Sequence, residues 1–277
     1  MRLRHNLAAG IVLALFAVCG ADAAEGDTVS VLRQMRQTVK GDVLDALAGW
    51  AHVVSSPVRW DGGYWLTAGG VVVGVSASSL LDSDVRRMMQ RNRSGLNDDF
   101  SNVAVNYGDG LEMLALSAGG YIAGLTLREK WLRETSLLAG TAIVTAGTLS
   151  TLSKIIAGRA RPYMNKGPGV FKPFTISAED YASFPSGHTV VAFAFSGVLS
   201  ERIGNLWATI GLYGMAAGTA YARSYTDHHW FSDVVAGAAI SVPVSRSLVR
   251  YYEDDQEEEK GLCVVPGING VTLLWKF

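Results

Sequence analysis

The chain has 277 residues and a formal net charge of −1 at pH 7, so nothing in its charge points to a nucleic-acid partner. Charged residues make up 18%, below the roughly 25% of soluble domains, and 49% are hydrophobic before 31 glycines are counted. That is more apolar than a typical soluble protein and less so than a typical membrane bundle.

In chain order, residues 1–23 read as a signal peptide. Met1-Arg2-Leu3-Arg4-His5 is a basic start, Leu7 to Gly20 an uncharged apolar run, and Ala21-Asp22-Ala23 a small-x-small cleavage pattern before Ala24. Its removal takes away Cys19 and leaves only Cys263, which rules out an intramolecular disulfide and a cysteine-based zinc site. Residues 24–61 are mixed and polar, with amphipathic helix around Val29–Leu47. Uncharged stretches follow: Gly62–Leu81, Met113–Leu127, Thr135–Ser153, Thr189–Ser200, Ile203–Ala222 and Val234–Ser245. Strand-like alternation is absent and the lengths suit helices. A membrane span needs about 20 apolar residues. Three stretches come close (Gly62–Leu81, Thr135–Ser153, Ile203–Ala222) and three fall short, so a self-packed bundle and a membrane bundle both remain open. Residues 251–277 read as an acidic linker, Glu253–Glu259, followed by a small β-hairpin turning at Asn269-Gly270.

Three short stretches carry chemistry. In "KIIAGRARP", Lys154 and Arg161 return to nearly one helical face, and Pro162 pushes Arg161 toward an extended conformation. In "FPSGHTVVAF", Pro185-Ser186-Gly187 places free N–H groups at a helix start, an anion site beside His188. In "ARSYTDHHWFSD", His229 and Asp233 share a face, so that the carboxylate would accept from one imidazole nitrogen and leave the other unprotonated. Arg223 precedes them. Three cations, an N–H cradle and two histidines are what phosphoryl transfer without a metal requires.

Together, Lys154-(six)-Arg161-Pro162, Pro185-Ser186-Gly187-His188 and Arg223-(five)-His229-(three)-Asp233 resemble the three-part signature of the type 2 phosphatidic acid phosphatase superfamily. That superfamily includes class A acid phosphatases, lipid phosphate phosphatases and vanadium haloperoxidases. The resemblance covers roughly residues 62–250. One departure is Ala222, where the family usually has Ser.

The resemblance implies an all-α bundle with its site at the helix ends. It makes His229 the nucleophile, Asp233 the holder of its tautomer, and His188 the proton donor to the leaving group and later the base for water. Lys154, Arg161, Arg223, Ser186 and the Gly187 N–H would bind phosphate, without metal or cofactor. The implied activity is phosphomonoesterase. A lipid phosphate or pyrophosphate is favoured over a small soluble ester; phosphatidate, phosphatidylglycerol phosphate, undecaprenyl pyrophosphate and lipid A are not distinguished. The alternatives are a vanadium-dependent haloperoxidase and a non-catalytic anion-binding envelope protein. The expected place is the bacterial cell envelope, as a periplasm-facing bundle resting on or dipping into a membrane, with an integral membrane enzyme as alternative. Oligomeric state is not legible.

Overall fold

The computed structural model describes residues 25–176, 178–258, 261–267 and 270–276. The signal-peptide reading of residues 1–23 and the turn residue Asn269 lie outside them, as does the side chain of Cys263. The chain divides into two compact units, Met1–Leu44 and Asp45–Phe277. Helix α1, Glu25–Val54, starts in the first and ends in the second.

The second unit is helical up to Glu258. Helix α2 spans Gly62–Ser78, α3 Asp82–Arg91, α4 Gly95–Ala104, α5 Gly110–Leu127, α6 Lys130–Ala157, α7 Gly187–Ile203, α8 Leu206–Tyr225 and α9 Phe231–Glu258. Their starts follow capping chemistry. Asp61 accepts from the Tyr64 N–H at 3.0 Å, Asp109 from Leu111 and Glu112, and Asn205 from Trp207 and Ala208. Each aligns a polar residue with the start of an apolar run.

Helix α7 lies at the centre, packed against α6, α8 and α9. Its Val190, Ala192, Ala194 and Val198 are fully buried, and they join Leu138, Ala142, Ile143 and Ala146 of α6 and Val244 and Leu248 of α9 in the core. Small side chains let the backbones approach. A Cβ on Gly197 would stand 2.1 Å from the Ser245 hydroxyl, so only glycine permits this α7–α9 contact. Helix α6 ends at Gly158, in the left-handed region (φ 56°), where a Cβ would meet the Lys172 carbonyl. The chain then turns back through an Arg159–Phe171 bridge and a long loop to α7. That loop and the α8–α9 turn meet above the C-terminal end of α6 and the N-terminal end of α7.

The six apolar stretches all became helices, and the fold is all-α as expected. Two elements go beyond the sequence reading. The polar segment after Leu81, which no stretch in that reading covers, forms helices α3 and α4, the latter capped by Ser94. Helix α9 runs through Pro243 and on through the acidic residues, which therefore begin as helix and not as linker. Strands β1, Gly261–Gly267, and β2, Gly270–Lys276, pair antiparallel from Gly261↔Lys276 to Gly267↔Gly270, the hairpin expected there.

Self-burial does not account for α2. It buries no residue at all, and Tyr64, Trp65, Leu66, Val72 and Val73 are exposed. Three helical segments, Gly62–Arg91, Gly110–Leu127 and Lys130–Ala157, are long and apolar enough to cross a membrane. Two of them contain stretches that composition placed near the threshold length, Gly62–Leu81 and Thr135–Ser153, and the third, Gly110–Leu127, contains one placed short of it, Met113–Leu127.

Candidate active site

The last turn of α6 carries Lys154. Its Nζ donates to the carbonyls of Ala182 (2.8 Å) and Pro185 (2.5 Å), which ties the end of α6 to the segment entering α7. Lys154 Cε lies 3.9 Å from where a Cβ on Gly187 would stand, so the bare glycine and the lysine border the same space. Arg161 is extended (φ −72°, ψ 151°), as Pro162 requires. Its backbone N–H donates to the Asp180 carbonyl and its Nε to the Glu179 carbonyl, both at 2.9 Å. Glu179 and Asp180 thus hold Arg161 through their backbone, and the Asp180 carboxylate also accepts from the Tyr163 hydroxyl at 2.8 Å.

Ser186 is the N-cap residue of α7, after a cis Phe184–Pro185 bond. Its hydroxyl makes no capping bond and instead accepts from Thr189 Oγ1 at 3.0 Å. The N–H groups of the first turn of α7 therefore have no intrahelical or side-chain acceptor among the described residues, which is the condition for an anion cradle. His188 is the second residue of this helix. Burial first, then the charge of Arg223, pushes it down to about 4. The ring is neutral at pH 7 in the free protein.

Arg223 stands in the last turn of α8. Its Nε is buried and has no hydrogen-bond partner. Burial and the neighbouring Arg161 pull it down to about 10, still cationic at neutral pH. Lys154, Arg161 and Arg223 come from three separate elements and lie within range of one another's charge. A site that gathers cations and leaves a buried guanidinium N–H unmatched is built for a multivalent anion.

The His229–Asp233 pair is buried, at 3% and 0% exposure, which rules out a surface pair. Its geometry corrects the sequence reading. His229 Nδ1 lies 2.7 Å from the Ser183 carbonyl oxygen, while Asp233 Oδ2 is 3.9 Å away. A carbonyl can only accept, so Nδ1 carries the proton and Nε2 keeps its lone pair. The tautomer is the expected one, but a backbone carbonyl sets it. Asp233 instead receives the Ser183 hydroxyl on Oδ2 (2.5 Å), the Trp230 N–H on Oδ2 (2.9 Å) and Arg159 Nη1 on Oδ1 (2.6 Å). It holds the residue that holds the histidine. Burial pushes the Asp233 carboxyl up, but its hydrogen bonds and Arg159 outweigh that and keep it below the usual range. Burial pushes His229 down to about 3, so it is neutral at pH 7.

Sequence reasoning missed Ser183, Arg159, Ser232 and Asp82. Arg159 sits inside "GRARP" between the two cations singled out, with no spacing rule to mark it. Asp82 lies 150 residues from Ser232, whose N–H and hydroxyl it accepts at 2.8 Å each. Only the fold brings them together. The rim is fixed by Arg86, bidentate to Asp227 at 2.6 Å. His228 does face the site rim, its ring edge-on to Tyr163 at 5.9 Å, with Nδ1 directed at the Thr226 carbonyl.

Residues 135–257 match the family model of the PAP2 superfamily, a span containing all eight residues singled out. Over 64 residues the chain is 38% identical to a lipid A 1-phosphatase from Porphyromonas gingivalis, a match covering 22% of this chain and 14% of that protein. The structure resembles Aquifex aeolicus LpxE with a TM-score of 0.50 and 24% identity, over 62% of this chain and 96% of the other. It also resembles a transmembrane PAP2-type phosphatidylglycerolphosphate phosphatase from Bacillus subtilis, with a TM-score of 0.51 and 17% identity, over 77% and 95% of the two chains.

Proposed function

We propose that this chain, whose residues 135–257 match the PAP2 superfamily, is a phosphatase of that superfamily that hydrolyses a lipid phosphate monoester through a phosphohistidine. The observation that carries the reading is the convergence of Lys154, Arg161 and Arg223, with its unmatched buried Nε, on the start of the helix that bears His188. Phosphate oxygens would lie among these cations and the N–H groups after Ser186, with Gly187 leaving room for them. His229 Nε2 attacks phosphorus, the bond to the leaving oxygen breaks, and His188, protonated in the complex where the phosphate dianion offsets the charges of Arg161 and Arg223, gives that oxygen its proton. His188 then takes a proton from water as the water oxygen attacks phosphorus, and the P–N bond breaks to free phosphate and His229. Asp233 balances the cationic ring of the intermediate from 3.9 Å.

The lipid class rests on two supports. Apolar helices lie beside the site, α2 burying none of its residues, and two of the similar proteins are a lipid A 1-phosphatase and a phosphatidylglycerolphosphate phosphatase. The same helices support a place in a membrane of the cell envelope. The decisive experiment is phosphate release from lipid A 1-phosphate, phosphatidylglycerol phosphate, phosphatidate and para-nitrophenyl phosphate. His229→Ala is expected to lose turnover by many orders of magnitude, because nucleophile and acid act as a unit. Turnover that persists in this variant would remove the assignment.

A further inference from the structure

The structure contains a second polar cluster behind the histidine. The guanidinium of Arg159 has five N–H donors, and all five are engaged. Nη1 donates to Asp233 Oδ1 (2.6 Å) and Ser232 Oγ (2.7 Å). Nη2 donates to Asp82 Oδ2 (2.7 Å) and the Pro168 carbonyl (2.8 Å), and Nε to the same carbonyl (2.9 Å). The planar cation is flanked by Phe171 and Trp230 at 5.5 and 5.7 Å. Asp82 is equally committed: Oδ1 takes the Ser232 N–H, and Oδ2 takes the Ser232 hydroxyl and Arg159. Saturated in this way, Arg159 has no donor left for a phosphate oxygen. It differs in this from Arg223, whose Nε is unmatched.

Two carboxylates against one guanidinium leave a net negative charge in a fully buried place. As a device for stability this is poor, since each buried ion costs several kcal/mol in desolvation and a packed apolar cluster does as well. The placement has a different consequence. Asp233 Oδ1 is pinned by Arg159, so Oδ2 is left for the Ser183 hydroxyl and the Trp230 N–H. The Ser183 carbonyl receives the His229 proton. A continuous chain of bonds therefore runs from Asp82 at the start of α3 to the imidazole.

We propose that Asp82 and Arg159 are positioning residues for the phosphohistidine step: they orient Asp233 and Ser183 around His229, and Asp82 supplies the surplus negative charge that the cationic phosphohistidine neutralises. The proposal rests on the phosphatase reading above. Without Asp82, Arg159 neutralises Asp233 alone, and the positive charge on the phosphorylated ring faces a neutral pair in place of a net anion. The ground-state site for phosphate is untouched, because Lys154, Arg161 and Arg223 make no bond to Asp82.

The test uses the full chain in detergent with para-nitrophenyl phosphate as substrate and inorganic phosphate as competitive inhibitor. Asp82→Asn is expected to lower kcat about tenfold, the effect of a charge worth one pKa unit, with KM and the inhibition constant of phosphate within about twofold of wild type. Trapped phosphohistidine should fall in proportion. Unchanged kcat, or a loss of phosphate affinity in step with kcat, would overturn the proposal, the latter by showing a merely structural role. Should Asp82→Asn not fold, Ser232→Ala removes the hydroxyl between Asp82 and Arg159 without removing a charge. The hydroxyl accepts from Arg159 and donates to Asp82, and losing both bonds is expected to lower kcat about threefold or more at constant phosphate affinity; an unaltered kcat overturns the proposal. A wild-type protein without turnover overturns both this proposal and the phosphatase reading, and is seen before any variant is made.

Discussion

Asp233 and His229 are four residues apart, yet the imidazole proton goes to Ser183 and not to the carboxylate. That geometry sets the size of the expected effect. In a triad where a carboxylate bonds the imidazole directly, Asp→Asn costs about 10⁴ in rate because the wrong tautomer is stabilised. Here the carbonyl keeps the tautomer, so Asp233→Asn should cost about a hundredfold in kcat, from lost charge and a disturbed Ser183. A loss near 10⁴ would show that Asp233 bonds His229 directly during turnover. His188 makes a second prediction. It is held at about 4 by burial, with Arg223, His228 and Arg161 pushing it down and Asp109 pushing it up. A proton donor must carry its proton, so kcat/KM, which reports the free enzyme, should fall as pH rises above this value. A bound phosphate dianion cancels the field of Arg161 and Arg223 and raises the group in the complex. The alkaline limb of kcat should therefore lie at higher pH than that of kcat/KM. His229, lowered to about 3 by burial, gives any loss of rate at the acid end of the profiles, and not the alkaline limbs. Coinciding alkaline limbs would remove His188 as the acid.

At the scale of the element, α7 does two jobs with one sequence. Its first turn, Gly187-His188-Thr189, faces the anion site, and its remaining length is core on nearly every side. Alanine, glycine and serine make this possible by letting α6, α8 and α9 close around it. Gly197 is the tightest point, with a substituted Cβ reaching 2.8 Å from Ser245 Cβ as well as clashing with its hydroxyl. Gly197→Ala should destabilise the fold by about 1–3 kcal/mol through overpacking. A thermal melt in detergent checks this, and an unchanged midpoint would mean α7 and α9 slide apart at no cost. The apolar run was legible as a helix because its composition and length leave no other reading. Its role as the central helix was not, because burial on all sides looks the same in sequence as burial in lipid.

For the whole molecule, three apolar helical segments precede the site, and the helix that opens the first, α2, buries none of its residues. Gly62–Arg91, Gly110–Leu127 and Lys130–Ala157 in succession would place Glu129 and Lys166 on opposite faces of a bilayer. Single cysteines at these two positions, in a chain with Cys19 and Cys263 replaced, should label from opposite sides, and the protein should resist a carbonate wash. Labelling of both from one side, or release by carbonate, would restore the self-packed bundle at the membrane surface. The sequence by itself determined the all-α class, the cation and histidine set, the extended Arg161 and the helix that starts after Ser186. These follow from local rules: Pro geometry, capping, and the incompatibility of long apolar runs with turns. Only the tertiary structure decided that Ser183 and not Asp233 takes the His229 proton, that the Arg159 donors are all taken by Asp82, Asp233, Ser232 and the Pro168 carbonyl, and that Asp82 reaches the site from 150 residues away. Those facts depend on which donors and acceptors meet when distant segments pack, and hydrogen bonds of about 3 Å between them leave no spacing pattern along the chain.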